Sequence, residues 1–284
     1  MIRKLLVPVR GDGKGDNVLA HAAALARRYK AHVEILHSRA RPEDWIPYGV
    51  HVPAFLKKQM LEQAAQVADS EEAGMRDELR VLAEKLNLDL DGAPEGQTAT
   101  ASWLEDKGRQ VDTIRRHGRL ADLICVAKPD VDRNLGHNTL KAALFHSGRP
   151  VMMCPPTDKV SDTLGSHVAI AWNGSSEAAR AVALTPGLIE GADKVSILTA
   201  GEEIHGASAE DLVKYLHIRG VTATVERFEK SRNIGRDLLA HCANLGADLM
   251  IMGAYSESHE KETLLGGNTQ TIVDTAKMPV VMVH

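Results

Sequence analysis

Cysteine is scarce in this chain: Cys125, Cys154 and Cys242 stand apart, with no CxxC pair. That excludes a disulfide framework and implies buried thiols in a reducing compartment. Long apolar runs are missing as well. No stretch approaches the ~20 residues a membrane helix needs, so no membrane partner is expected. A dominant charge is also lacking, since 34 Lys and Arg face 38 Asp and Glu for a formal charge of −4. So small an excess gives no reason to expect nucleic acid as a partner. Met1 to Lys4 followed by Leu5-Leu6-Val7-Pro8-Val9 reads as a first strand. A signal peptide would need a longer apolar region and a small-residue cleavage site. The expected location is cytoplasmic.

Catalytic motifs are missing too. The 13 histidines are dispersed, without HExxH or other close metal-ligand spacing. His259 could join Glu257 or Glu260 on a metal, but a solvated loop histidine is the favoured reading. Ser175 and Ser176 follow a strand without G-x-S-x-G, and read as turn or cap residues. No catalytic residue is therefore assigned.

What is present is an internal repeat. Leu6-Val7-Pro8-Val9-Arg10-Gly11-Asp12 recurs as Ala169-Ile170-Ala171-Trp172-Asn173-Gly174-Ser175, at an offset of 163 residues. Ala121-Asp122-Leu123-Ile124-Cys125-Val126-Ala127 recurs as Ala247-Asp248-Leu249-Met250-Ile251-Met252-Gly253, at an offset of 126. Arg149-Pro150-Val151-Met152-Met153-Cys154 recurs as Met278-Pro279-Val280-Val281-Met282-Val283, at 129. The first half is thus longer by 37 residues between the first two landmarks, 163 against 126. Short continuous apolar runs alternating with helical periodicity argue for parallel strands buried on both faces, five per half. The third strands are expected near Thr98 to Trp103 and over Gly220 to Val225.

The surplus in the first half falls mostly between Arg41 and Leu86. There Leu56, Met60, Ala64 and Val67, then Met75, Leu79, Leu82 and Leu86, form an amphipathic pattern that Asp69 to Glu72 and Gly74 could break in two. Trp45-Ile46-Pro47-Tyr48 is an apolar loop that covers a cleft, meets a partner or packs on its own domain, the last being favoured. The polar, turn-rich stretch 157–166 reads as a linker, giving domains 1–156 and 167–284.

In open parallel sheets, ligands bind at the carboxyl ends of strands where the winding reverses. In the second half that places Asn173, Gly174, Gly253, Ser256, Gly266, Gly267, Asn268 and Thr269 at a candidate site. Paired glycines at a helix start let backbone N–H groups approach a phosphate, and Asn268 or Thr269 would suit the N-cap. A plainly capped helix entry is the alternative.

Gly253-Ala254-Tyr255-Ser256, nine residues (Glu257 to Leu265) and then Gly266-Gly267 resemble the G-x-x-G, nine residues, G and Ser/Thr pattern of ATP-binding universal stress proteins. Asn173-Gly174-Ser175 resembles that family's Asp-Gly-Ser after the first strand. The resemblance covers nearly the whole chain, twice. It departs at Ser256, at Gly267 in the Ser/Thr position, and at Asn173 in the acidic position. In the first half Ala127-Lys128-Pro129-Asp130 replaces G-x-x-G outright, and Gly136-His137-Asn138-Thr139 echoes Gly266 to Thr269 only with a one-residue slip. No ATP is expected there.

The expected fold is therefore α/β: two tandem doubly wound five-stranded parallel-sheet domains. The resemblance implies the adenine nucleotide alpha hydrolase-like strand order 3-2-1-4-5. It also implies pairing of Val151 to Cys154 with Val280 to Val283, an internal pseudo-dimer that could itself form a homodimer. The function it implies is a stress-response protein with a degenerate adenine-nucleotide site in the second domain, with ATP and nucleotide-associated Mg as its cofactors. The alternatives are a ligand-free scaffold for unknown protein partners and a slow nucleotide-hydrolysing enzyme.

Overall fold

The computed structural model describes residues 1–9, 15–39, 54–90, 92–130, 133, 135–157, 159–201, 206–255 and 267–284. In the first half β1 (Lys4–Val9), β2 (His32–Arg39), β3 (Thr100–Lys107), β4 (Leu123–Ala127) and β5 (Val151–Cys154) alternate with α1 (Gly15–Tyr29), α2 (Ala54–Lys85), α3 (Gln110–Gly118) and α4 (His137–His146). The second half has β6 (His167–Ala171), β7 (Lys194–Ala200), β8 (Ala223–Phe228), β9 (Leu249–Gly253) and β10 (Val280–Val283). Its helices are α5 (Ser176–Leu184), α6 (Pro186–Glu190), α7 (Ala209–Ile218), α8 (Ile234–Leu245) and α9 (Gly267–Thr275).

Strand order is β3-β2-β1-β4-β5 in one half and β8-β7-β6-β9-β10 in the other. Within each half all pairings are parallel. The two sheets join where β5 runs antiparallel to β10, with Met153 opposite Val280, Met152 opposite Val281 and Val151 opposite Met282. One ten-stranded sheet results, and two strand edges that would template aggregation are mutually covered.

Burial explains why the strands read as unbroken apolar runs. Leu5, Val7 and Val9 of β1 face a core built with α1, α5, α6, α7 and the end of α2. Leu6 faces the opposite core, with α3, α4, α8 and α9. Helix α1 buries Val18, Ala22, Leu25 and Ala26 against the first, and Arg27 and Arg28 in its last turn complement the helix dipole.

The repeat extends to its hydrogen bonds. Ahead of β4, Asp122 Oδ2 accepts from the Arg3 and Lys4 amides at 2.7 and 3.0 Å. Ahead of β9, the equivalent Asp248 accepts from the Gly165, Ser166 and His167 amides and from Ser166 Oγ at 2.7 Å. Each carboxylate ties the start of the first strand in its half to that of the fourth.

Three local expectations change. Strand β3 begins at Thr100 and runs past Trp103 to Lys107. Strand β8 starts at Ala223, because Gly220, at φ +79°, and Val221 are spent closing α7 with Val221 N donating to Leu216 O. Helix α2 is continuous through Gly74, whose cost in a helix interior, about 1 kcal/mol, is less than that of abandoning the ladder. Its last turns bury Leu79 and Ala83, whereas Phe55 near its start is 73% exposed. After α5, Leu188 is buried in the short helix α6, which Pro186 starts at its first position. Residues 40–53, including Trp45 to Tyr48, lie outside the described residues.

Candidate functional site

The carboxyl end of β6 turns through Asn173 and Gly174 into α5. Asn173 Oδ1 accepts the Ser175 amide at 3.1 Å, committing that oxygen to the turn. Ser175 Oγ in turn accepts the Ala178 amide at 3.2 Å and caps the helix, as its position after a strand suggested. Gly174 has φ +74°, and a Cβ there would stand 2.9 Å from Ala207 O, so this turn needs glycine for both conformation and space. The Trp172 indole is buried and donates from Nε1 to the same carbonyl at 3.0 Å. Protein thus fills the space between this turn and residues 206–207.

At the end of β9, Gly253 meets the first turn of α5. A Cβ would lie 2.5 Å from the Glu177 carbonyl carbon and 2.7 Å from the Ala178 nitrogen. Close packing of helix on strand therefore accounts for this glycine by itself. Glu177 is buried there. Burial pushes its carboxyl up, but its own backbone N–H, the Ser175 and Ser176 side chains and Arg180 outweigh that and hold it below the ordinary value. A carboxylate therefore already sits among the donors at the head of α5.

At the head of α9, Gly267 and Asn268 are exposed and Thr269 is buried. The helix begins at Gly267, so Asn268 and Thr269 occupy its first turn instead of the N-cap expected from sequence. A Cβ on Gly267 would meet nothing within 4 Å, and Thr271 Oγ1 donates to Gly267 O at 2.8 Å. This turn abuts the start of α8, where a Cβ on Gly235 would lie 2.7 Å from Asn268 O. Asn173, Gly174 and Gly253 thus gather around the first turn of α5, and Gly267 to Thr269 stand beside α8. Ser256 and Gly266, with Glu257, His259 and Glu260, lie outside the described residues.

Sequence reasoning missed Trp172, Glu177 and Tyr255. Tyr255 has φ +59°, rare for a bulky side chain, and burial pushes its phenol pKa up. The only sequence signal was a large aromatic inside a glycine-framed turn.

The first half arranges its matching segment differently. Asp130 and Leu135 exchange backbone hydrogen bonds at 2.9 and 3.1 Å, and a Cβ on Gly136, at φ +88°, would stand 3.3 Å from Pro129 Cα. Lys128 reaches across to the second half, donating from Nζ to Ala276 O at 2.9 Å.

Cys125 and Cys154 lie on the adjacent strands β4 and β5, fully buried, with both thiols pushed up by burial. Burial likewise pushes Cys242 up to about 12. Such thiols are poor nucleophiles. Among the described residues, no three His, Cys, Asp or Glu gather to hold a metal ion, and no helix is long and apolar enough to cross a membrane.

Strand order 3-2-1-4-5 with a switch point between β6 and β9 defines a doubly wound α/β protein. Residues 180–284 match the model of the Universal stress protein family. The second half thus resembles the universal stress protein family, and the first half repeats its strand order. A universal stress protein from Archaeoglobus fulgidus shares the fold over 99% of this chain and 97% of its own, with 16% identity and a TM-score of 0.68. A functionally unknown protein from Pseudomonas aeruginosa covers 99% and 92%, at 16% identity and a TM-score of 0.54. No curated protein matches the chain.

Proposed function

We propose that this is a cytoplasmic stress-response protein whose second domain, 167–284, binds an adenine nucleotide, joined through a linker at 157–166 to a first domain, 1–156, that binds none. The observation that supports it is the pairing of an exposed helix head at Gly267 and Asn268 with a preceding strand end at Gly253, in a sequence keeping the family's spacing. Backbone N–H groups at the head of α9 would face the phosphates, with the helix dipole adding attraction. Asn173 and Gly174 would border the nucleoside side. With no base or metal set among the described residues, the role proposed is binding, with ATP and its Mg as the occupant.

A Gly267→Asp variant tests this directly. Its Cβ enters open space, and a carboxylate in the first helical turn favours the helix while repelling phosphate. Calorimetry with Mg-ATP should give saturable heat for the parent chain and affinity weaker by about tenfold for the variant. No heat at millimolar nucleotide sinks the reading. Phosphate release from ATP, lost in the variant, would favour the enzyme reading instead.

A second reading, a ligand-free scaffold for protein partners, draws on a specific observation. Trp172 and the backbone contact between Gly174 and residues 206–207 fill the nucleoside side, and Glu177 supplies an internal anion. A homodimer of the tandem chain belongs to either reading, and sedimentation would show it.

A further inference from the structure

We infer that the first domain is a frame for the ligand margin of the second, with Phe145 and Lys128 as positioning residues for Tyr255 and for α9. The ligand half of this inference rests on the nucleotide reading, whereas its geometry stands apart from it. Tyr255 follows β9 in a left-handed conformation that is unfavourable for a non-glycine residue, so neighbouring contacts must hold it. Those contacts come from the other domain and from the far end of the chain. The Phe145 ring, on α4, lies 5.0 Å from the Tyr255 ring in a tilted pair. His284, just beyond β10, stands edge-on to Phe145 at 4.8 Å. Its Nδ1 lies 3.3 and 3.2 Å from the carbonyl oxygens of Ala254 and Tyr255 and donates to them when it carries the proton. These are the two residues that follow Gly253.

The far end of α9 is held independently. Lys128 Nζ donates to Ala276 O, one residue beyond the last turn of α9, where a cation is favoured by the helix dipole. At the repeat offset of 126, Lys128 stands where the second half has Ala254. The segment of the first domain that lost its glycines therefore grips the helix of its neighbour. Phe145 fixes the residue that leaves β9, Lys128 fixes the helix whose head would meet phosphate, and both belong to the first domain. A ligand that orders this margin is thereby coupled to the first domain through two defined contacts.

The test uses the full chain, with Phe145→Ala, Lys128→Met and Lys128→Arg variants. Amide hydrogen exchange is followed in peptides covering 254–255 and 267–275, with β7 and β8 as internal reference, and Mg-ATP binding is measured by calorimetry. The frame predicts exchange about fivefold faster or more at the margin in the Ala and Met variants, with the reference strands unchanged. ATP affinity should fall by a similar factor, and Lys128→Arg should restore both. Unchanged margin exchange in both variants, or acceleration spread evenly through the sheet, overturns the frame. Accelerated margin exchange in a protein that gives no ATP heat at all supports the frame and removes the ligand coupling.

Discussion

The two halves share strand order, core pattern and the aspartate that ties the first strand to the fourth, yet they spend the segment after the fourth strand on different ends. In the first half it is closed by the Asp130–Leu135 backbone pair and sends Lys128 to Ala276. In the second it leads from a tightly packed Gly253 through a left-handed Tyr255 towards an exposed helix head. A duplicated fold keeps what its core requires and is free to change what lies at the strand ends.

The seam between the halves carries the largest expected effect. Val281 is fully buried opposite Met152, so Val281→Asp places an unpaired carboxylate in the shared core. We expect a loss of about 4 kcal/mol or more, read from the denaturant midpoint. A loss under about 1 kcal/mol would mean that the halves do not depend on a common seam.

Glycine substitutions sharpen the contrast within the second half. Gly253→Ala drives a methyl into the α5 backbone and should cost about 2 kcal/mol. Gly267→Ala enters open space in a helix and should be neutral or stabilising by up to about 1 kcal/mol. Equal effects in thermal melts would contradict the packing role given to Gly253.

The paired aspartates compare the halves directly. Asp248 accepts four hydrogen bonds and Asp122 two, so Asp248→Ala should cost about 2–3 kcal/mol and Asp122→Ala about half as much. The reverse order in chemical unfolding would show that the tie is stronger in the first half.

The smallest effect is with pH. Burial lowers the pKa of His21 and His32 in the first half and of His167 in the second. A base with a lowered folded pKa takes up its proton more readily when unfolded. Stability is therefore full above about 6.5 and declines as pH falls below it. Asp106 adds to this further down: burial raises its pKa, but His117 and Arg116 more than offset that and hold it low. Its contribution is present above about pH 4 and lost as pH falls further. Midpoints that stay constant or rise between pH 7 and 5 would refute the histidine effect; replacing His21 and His32 by Gln should flatten the curve more than replacing His167.

The repeat was legible because a strand buried on both faces leaves an unmistakable apolar run, and Val281 pairs with Met152 as the resemblance implied. The starts of β3 and β8 were less legible, since edge strands such as Ala223 to Phe228 are only partly buried and mix polar with apolar residues. At the site, the glycines were visible but not their reasons. Only the approach of Glu177 shows that Gly253 is a packing residue, and only Thr271 and Gly235 show how the head of α9 is seated.

By itself the sequence determined the tandem α/β architecture and the inequality of the copies, because periodicity and burial are local properties written along the chain; the 3-2-1-4-5 winding came from the resemblance. The tertiary structure decided the rest: that α2 runs unbroken, that Glu177 sits under Gly253, and that Phe145 and Lys128 reach from one half to Tyr255 and to the end of α9 in the other. The contacts of Phe145 and Lys128 join residues more than a hundred positions apart, and such proximity arises only once β5 and β10 have closed the sheet.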